Sequence, residues 1–124
     1  MRRLLLLIVV LALAAPAAAE AKTRRFHTPS GNITCLYASK QGPGPFLRCD
    51  VLSLNDTGFT VRRRGAARRV HITDSVAGPG RTLEYGERAR YGPFSCLSRR
   101  IGLRCHSRVS GHGFFLSRAS QRLF

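Results

Sequence analysis

The sequence predicts an all-β domain: a small antiparallel sandwich or barrel-like sheet, built of hairpins and stapled by two disulfides. Three observations predict it. Gly, Pro, Asn and Asp punctuate the chain about every eight to twelve residues, with short alternating runs between them, as in sandwiches and barrels. No long amphipathic helical pattern follows residue 19. The four cysteines, Cys35, Cys49, Cys96 and Cys105, fall into two pairs that each span one candidate turn.

The chain opens with a different pattern. Arg2 and Arg3 precede an unbroken apolar run from Leu4 to Ala15, and Pro16-Ala17-Ala18-Ala19 follows. A positive start, a short apolar stretch and small residues at an A-x-A site make a secretory signal peptide over 1–19. A second A-x-A, Ala19-Glu20-Ala21, would move the cut two residues on. Spanning a bilayer takes about 20 apolar residues, more than this run supplies. The next residues, Glu20 to Arg25, are mostly polar. The expected product is a single disulfide-stapled β domain over 20–124, secreted or held in the cell envelope, with no transmembrane segment. In an exported chain an even number of cysteines reads as disulfides. The spacings C-x13-C and C-x8-C lack the C-x2-C knuckle of a four-cysteine metal site.

Three hairpins can be written from the pattern. The first joins Asn32–Ala38 to Phe46–Leu52 across Gly42-Pro43-Gly44. Setting Cys35 opposite Cys49 sets Ile33 opposite Val51 and Tyr37 opposite Leu47, so all six share one face. A small register offset would ease the disulfide, since opposed Cβ atoms stand somewhat far apart. The second hairpin joins Phe59–Arg63 to Arg68–Ile72. Pairing Phe59 with Ile72 and Val61 with Val70 leaves Gly65-Ala66 as a two-residue loop suited to a type II′ turn. The third sets Phe94-Ser95-Cys96-Leu97 against Leu103-Arg104-Cys105-His106, with a loop from Arg99 to Gly102. Gly113 to Phe124 supplies one or two closing strands. An internal echo, Thr34-Cys35-Leu36 … Leu47-Arg48-Cys49 and Ser95-Cys96-Leu97 … Leu103-Arg104-Cys105, selects Cys35–Cys49 and Cys96–Cys105 among the three possible connectivities.

Six strings in order carry a family resemblance: Phe26 to Ile33 followed by Cys35; Arg48-Cys49-Asp50; Leu83-Glu84-Tyr85-Gly86; Phe94-Ser95-Cys96; Gly102 to Cys105; and Gly111 to Arg118. Together they resemble a family of small secreted bacterial proteins catalogued as a domain of unknown function (family 6636). The likeness spans nearly all of the chain after the leader. It implies a bacterial, exported protein and carries no activity or catalytic residues. Some relatives carry an extra cysteine pair mid-chain, where this sequence has none.

Charge is the loudest feature. Lys and Arg number 21 against 6 Asp and Glu, for a net +15, and loss of Arg2 and Arg3 with the leader lowers this by two. Such a field attracts polyanions and anionic surfaces. All the basic residues except Lys22 and Lys40 are Arg, in a chain rich in Ala, Gly and Leu. A composition bias would also produce this. Arg62, Arg63, Arg64, Arg68 and Arg69 gather at the second hairpin, where Arg62 would face Arg69 and Arg63 would face Arg68. Like charges so opposed are destabilising. Their concentration at one tip suggests an anionic partner for guanidinium forks. Against it stands a plain solvated tip, and no aromatic residue interleaves with these Arg in sequence to form a stacking platform.

Other candidates are thinner. His112 sits between Gly111 and Gly113, where backbone freedom could place an imidazole in a tight site, or simply hydrogen-bond it in a loop. His27, His71 and His106 show no metal spacing. Glu84 and Glu87 could be imagined as a glycosidase pair, but are more simply salt-bridge partners. Asn32 and Asn55 match the glycosylation pattern, idle in a bacterium, and Asn55-Asp56-Thr57-Gly58 reads as a turn. There is no G-x-S-x-G, H-E-x-x-H or P-loop, and paired cysteines offer no thiol nucleophile. The expectation is a non-enzymatic domain without cofactor or metal, binding an anionic envelope or extracellular polymer. The alternative is a protein-interaction or inhibitor module presenting a stapled loop, Gln41–Pro45 or Arg99–Gly102. A hydrolase would need a pocket joining His112 to an acid.

Overall fold

Eleven strands fold into two sheets around one core in the computed structural model, which describes residues 10–15 and 21–124. Most of the expected leader, 1–19, lies outside the described residues, and its residues 10–15 belong to no helix or strand. The first sheet contains β1 (Thr23–His27), β2 (Ile33–Gln41), β3 (Gly44–Val51), β4 (Thr57–Arg62), β5 (Arg68–His71) and β6 (Arg81–Thr82), in the order β5-β4-β3-β2-β1-β6. The second is a meander of β7 (Arg88–Tyr91), β8 (Phe94–Arg99), β9 (Gly102–Ser107), β10 (Gly113–Leu116) and β11 (Gln121–Leu123), in the order β11-β10-β9-β8-β7. The expected all-β fold, the first and third hairpins and two closing strands are all present.

Alternation decides which side of each strand is buried. In β2 and β3 the inward set is Ile33, Cys35, Tyr37, Leu47, Cys49 and Val51, paired as the period of two requires. Cys96 and Cys105 likewise oppose each other across β8 and β9. Both disulfides form between directly opposed residues, each with Cα atoms 4.1 Å apart, so no register offset is needed. One disulfide therefore lies in each sheet, inside the core. Aromatic side chains close the gap between sheets: Phe26 stacks on Tyr91 at 5.3 Å, Tyr37 meets Phe94 edge-on at 6.1 Å, and Phe59 meets Phe114 at 6.1 Å. Such pairs add about 0.5–1.5 kcal/mol each beyond area burial.

The second hairpin differs from expectation. Thr57 pairs with His71, Gly58 with Val70, Phe59 with Arg69 and Thr60 with Arg68. Relative to the expected pairing this is a three-residue slip, an odd number, so β5 turns its other face to the core. The loop runs from Arg63 to Ala67 rather than through two residues. Two contacts explain it: Ala67 enters the core, and the Ser107 hydroxyl donates to the Arg63 carbonyl at 2.7 Å, tying the loop to the second sheet. Val70 turns outward, half-buried, onto the same outer face as Thr60.

The chain that follows, residues 72–80, leads from β5 at one edge to β6 at the other, across the outer face of the first sheet. Beneath it, Arg48 donates through Nε and Nη2 to the two Asp50 oxygens at 2.8 and 2.9 Å. The same guanidinium holds the crossing chain through the Asp74 carboxylate at 2.9 Å and the Asp74 carbonyl at 3.0 Å. The Val76 amide donates to Asp50 at 3.3 Å, and Val76 is buried. Burial alone would lower the Arg48 pKa. Hydrogen bonds and attraction from Asp50 and Asp74 outweigh it and hold the pKa above the ordinary value. Gly58, opposite Asp50, leaves the room: a Cβ there would stand 2.8 Å from Asp50 Oδ1.

Candidate functional site

The arginine cluster forms at the β4–β5 end of the first sheet. Arg62 does not face Arg69, nor Arg63 Arg68. Arg62 opposes Phe46, Arg69 opposes Phe59 and Arg68 opposes Thr60. The three-residue slip thus removes the opposed like charges of the expected register, which would repel. Arg62 donates to the Gln41 carbonyl at 2.7 Å and lies 5.0 Å from the Phe46 ring centre. Arg69 sits 5.5 Å from the Phe59 ring centre, capping the core at the sheet edge. These two are partly occupied in holding the fold. Arg63, Arg64 and Arg68 are exposed.

What gathers is a depression of about 400 Å³ lined by Arg62, Arg64 and Arg68 around Phe46, Thr60 and Val70. Arg62, Arg63 and Arg64 also border Pro43, Gly44 and Pro45 of the neighbouring hairpin. An aromatic ring therefore does interleave with the arginines, in space rather than in sequence. Phe46 was not singled out in the sequence because only cross-strand pairing brings it there. Its signal was its position opposite the start of the arginine run. Of the described arginines only Arg48 and Arg81 pair with carboxylates, so the cluster has no internal counter-charge.

The other candidates have local roles. Glu87 accepts from the Glu84 amide at 3.0 Å and from Arg81 at 2.7 Å, and both bonds lower its pKa. It clamps the turn leading into β7. His112 lies half-buried in the β9–β10 connection, its amide donating to Ser110 Oγ and its carbonyl accepting from Ser107. Among the described residues no carboxylate lies within 4.0 Å of it. His27 Nε2 meets Thr82 Oγ1 at 2.7 Å, joining β1 to β6, and exposed His71 lies 3.7 Å from Asp56. His106, on the outer face of the second sheet, has its pKa lowered by burial and then by Arg104, Arg88 and Arg108. Asn32 accepts from the Ser53 amide, and the Thr57 amide closes a turn onto the Leu54 carbonyl.

All four cysteines are paired, as suits an oxidising, extracytoplasmic compartment. Among the described residues no helix is long and apolar enough to cross a membrane, and no three His, Cys, Asp or Glu side chains are grouped to hold a metal ion. No protein-family model matches this chain, and neither does any curated protein or solved structure.

Proposed function

We propose that this chain is an exported, non-enzymatic domain that binds an anionic polymer of the envelope or extracellular space. The leader-like residues 1–19 and the resemblance to small secreted bacterial proteins support export. The binding reading is carried by one observation: Arg62, Arg64 and Arg68 surround a depression floored by Phe46, with no carboxylate paired to them among the described residues. Guanidinium groups around an apolar floor suit phosphate, carboxylate or sulfate groups on a chain that lies along them.

The test is a titration of the oxidised protein with nucleic acid, teichoic acid and a sulfated glycan across a range of salt. A variant with Arg63, Arg64 and Arg68 changed to Ser is run beside it, leaving Arg62 and Arg69 on their rings. One polymer is expected to bind at physiological salt with an affinity that falls steeply as salt rises. The variant should bind more weakly with a shallower slope, by about 0.9 per lost contact if the polymer is duplex DNA. Equal binding by the variant would remove this site. One observation favours the second reading, an inhibitor presenting a stapled loop: Ile101, at the apex of the turn closed by Cys96–Cys105, is 70% exposed. A tight, salt-insensitive complex with one secreted enzyme would support that reading instead.

A further inference from the structure

The outer face of the second sheet carries a pattern that the sequence does not display. Arg88 pairs with Leu97, Leu97 with Arg104, Arg104 with Phe115, and Phe115 with Arg122. One transverse row thus crosses all five strands as Arg-Leu-Arg-Phe-Arg. Neighbouring strands lie about 4.8 Å apart, so successive arginines stand roughly 10 Å apart with an apolar side chain between. The row borders a depression of about 370 Å³ whose lining adds Arg99 and Ile101. All four arginines are exposed, and among the described residues none has a carboxylate within 4.0 Å. No described segment crosses this face as 72–80 crosses the other.

We infer that this face docks on an acidic lipid surface. Its chemistry separates a bilayer from a base-stacking polymer. A stacking platform needs open aromatic faces. Here Arg122 lies 5.0 Å from the Phe115 ring centre, and a Cβ on Gly102 would stand 2.6 Å from Phe115 Cζ, so that ring is held from two sides. Arg104 lies 4.0 Å from the Phe124 ring centre. A base would have to displace a guanidinium from each ring. Leu97 and Ile101 offer no π-face at all. An interfacial surface asks for something else: apolar side chains that enter the acyl boundary, and cations beside them that meet headgroup phosphates. Ile101 projects from the β8–β9 turn beside Arg99 and Arg100 and is the most exposed large apolar residue of the folded domain. The guanidinium heads of the row lie on the same face.

This site is distinct from the Arg62–Arg68 depression, and the experiment separates the two. The exported, oxidised protein is mixed with vesicles of phosphatidylcholine alone or with phosphatidylglycerol added, and bound protein is measured by flotation. Binding is expected only with the acidic lipid, weakening as salt rises. Changing Arg88, Arg104 and Arg122 to Ser should weaken it about a hundred-fold, each arginine near an anionic leaflet contributing several-fold. Ile101→Ser, at an exposed turn, should weaken binding while leaving the salt dependence unchanged. The Arg63/Arg64/Arg68 variant should bind vesicles as the parent does. No binding to acidic vesicles, or undiminished binding by the triple Arg88/Arg104/Arg122 variant, overturns the inference. Vesicle binding lost only in the Arg63/Arg64/Arg68 variant, or single-stranded DNA bound through Arg88, Arg104 and Arg122, overturns it as well.

Discussion

The outer faces of the two sheets treat arginine in opposite ways. On the first, Arg48 is largely buried under residues 72–80 and meets two aspartates, with the Asp50 side chain only 3% exposed. On the second, Arg88, Arg104 and Arg122 stand in solvent without a carboxylate among the described residues. The difference follows from desolvation. A charge taken out of water must be paired, whereas one left in water need not be. With 6 acids in the chain, the fold places Asp50 and Asp74 against the buried Arg48 and leaves most of the described arginines without a carboxylate partner. Position therefore separates buried, paired arginine from exposed, unpaired arginine, although both are the same residue type.

The largest expected effect concerns what the two sheets share. Each holds one core disulfide closing a short loop, worth roughly 2.5–3 kcal/mol on the chain-entropy model. Reduction of both should unfold the domain near body temperature. Native circular dichroism retained in excess reductant would contradict this.

Next comes the covered face. Asp50→Ala leaves Arg48 buried with one partner and frees the Val76 amide, so a loss of about 3–5 kcal/mol is expected in denaturant unfolding. The crossing chain should also become sensitive to proteolysis between residues 72 and 80, a change no open-face substitution should produce.

A smaller effect sharpens the contrast through pH. His106 lies on the open face, and its pKa is lowered by burial and by Arg104, Arg88 and Arg108. A depressed histidine binds fewer protons folded than unfolded, so stability falls as pH drops below the ordinary histidine pKa towards the folded value. His106→Gln should flatten that part of the stability–pH curve. An unchanged curve would show that the fold does not depress the His106 pKa.

The first and third hairpins were legible because Ile33, Cys35, Tyr37 and Leu103, Cys105 alternate cleanly, and the cysteines pinned the register. The second hairpin was not. Arg68-Arg69-Val70-His71 holds one apolar residue, too few to fix its facing, and its register rests on Ala67 in the core and on the Ser107–Arg63 bond to the other sheet. Strands β1, β6 and β7 went unassigned for a related reason. Thr23–His27 and Arg88–Tyr91 are rich in arginine, as exposed strands often are, and Arg81–Thr82 is too short to show a period. The arginine cluster was visible as a run, but Phe46 in its floor and the Arg-Leu-Arg-Phe-Arg row exist only across strands. No reading along the chain displays a pattern that runs perpendicular to it.

The most direct test of buried, paired arginine against exposed, unpaired arginine is denaturant unfolding of two variants side by side, Asp50→Ala and the triple change of Arg88, Arg104 and Arg122 to Ser. The triple change loses the 2.8 Å bond from Arg88 to Ser95 Oγ and exposed contacts between Arg104, Arg122 and the rings of Phe124 and Phe115, and relieves repulsion along the row. Its expected cost is at most about 1–2 kcal/mol, well below that of the single aspartate. A triple variant destabilised as much as Asp50→Ala would mean that the open-face arginines hold the fold, and would contradict the account.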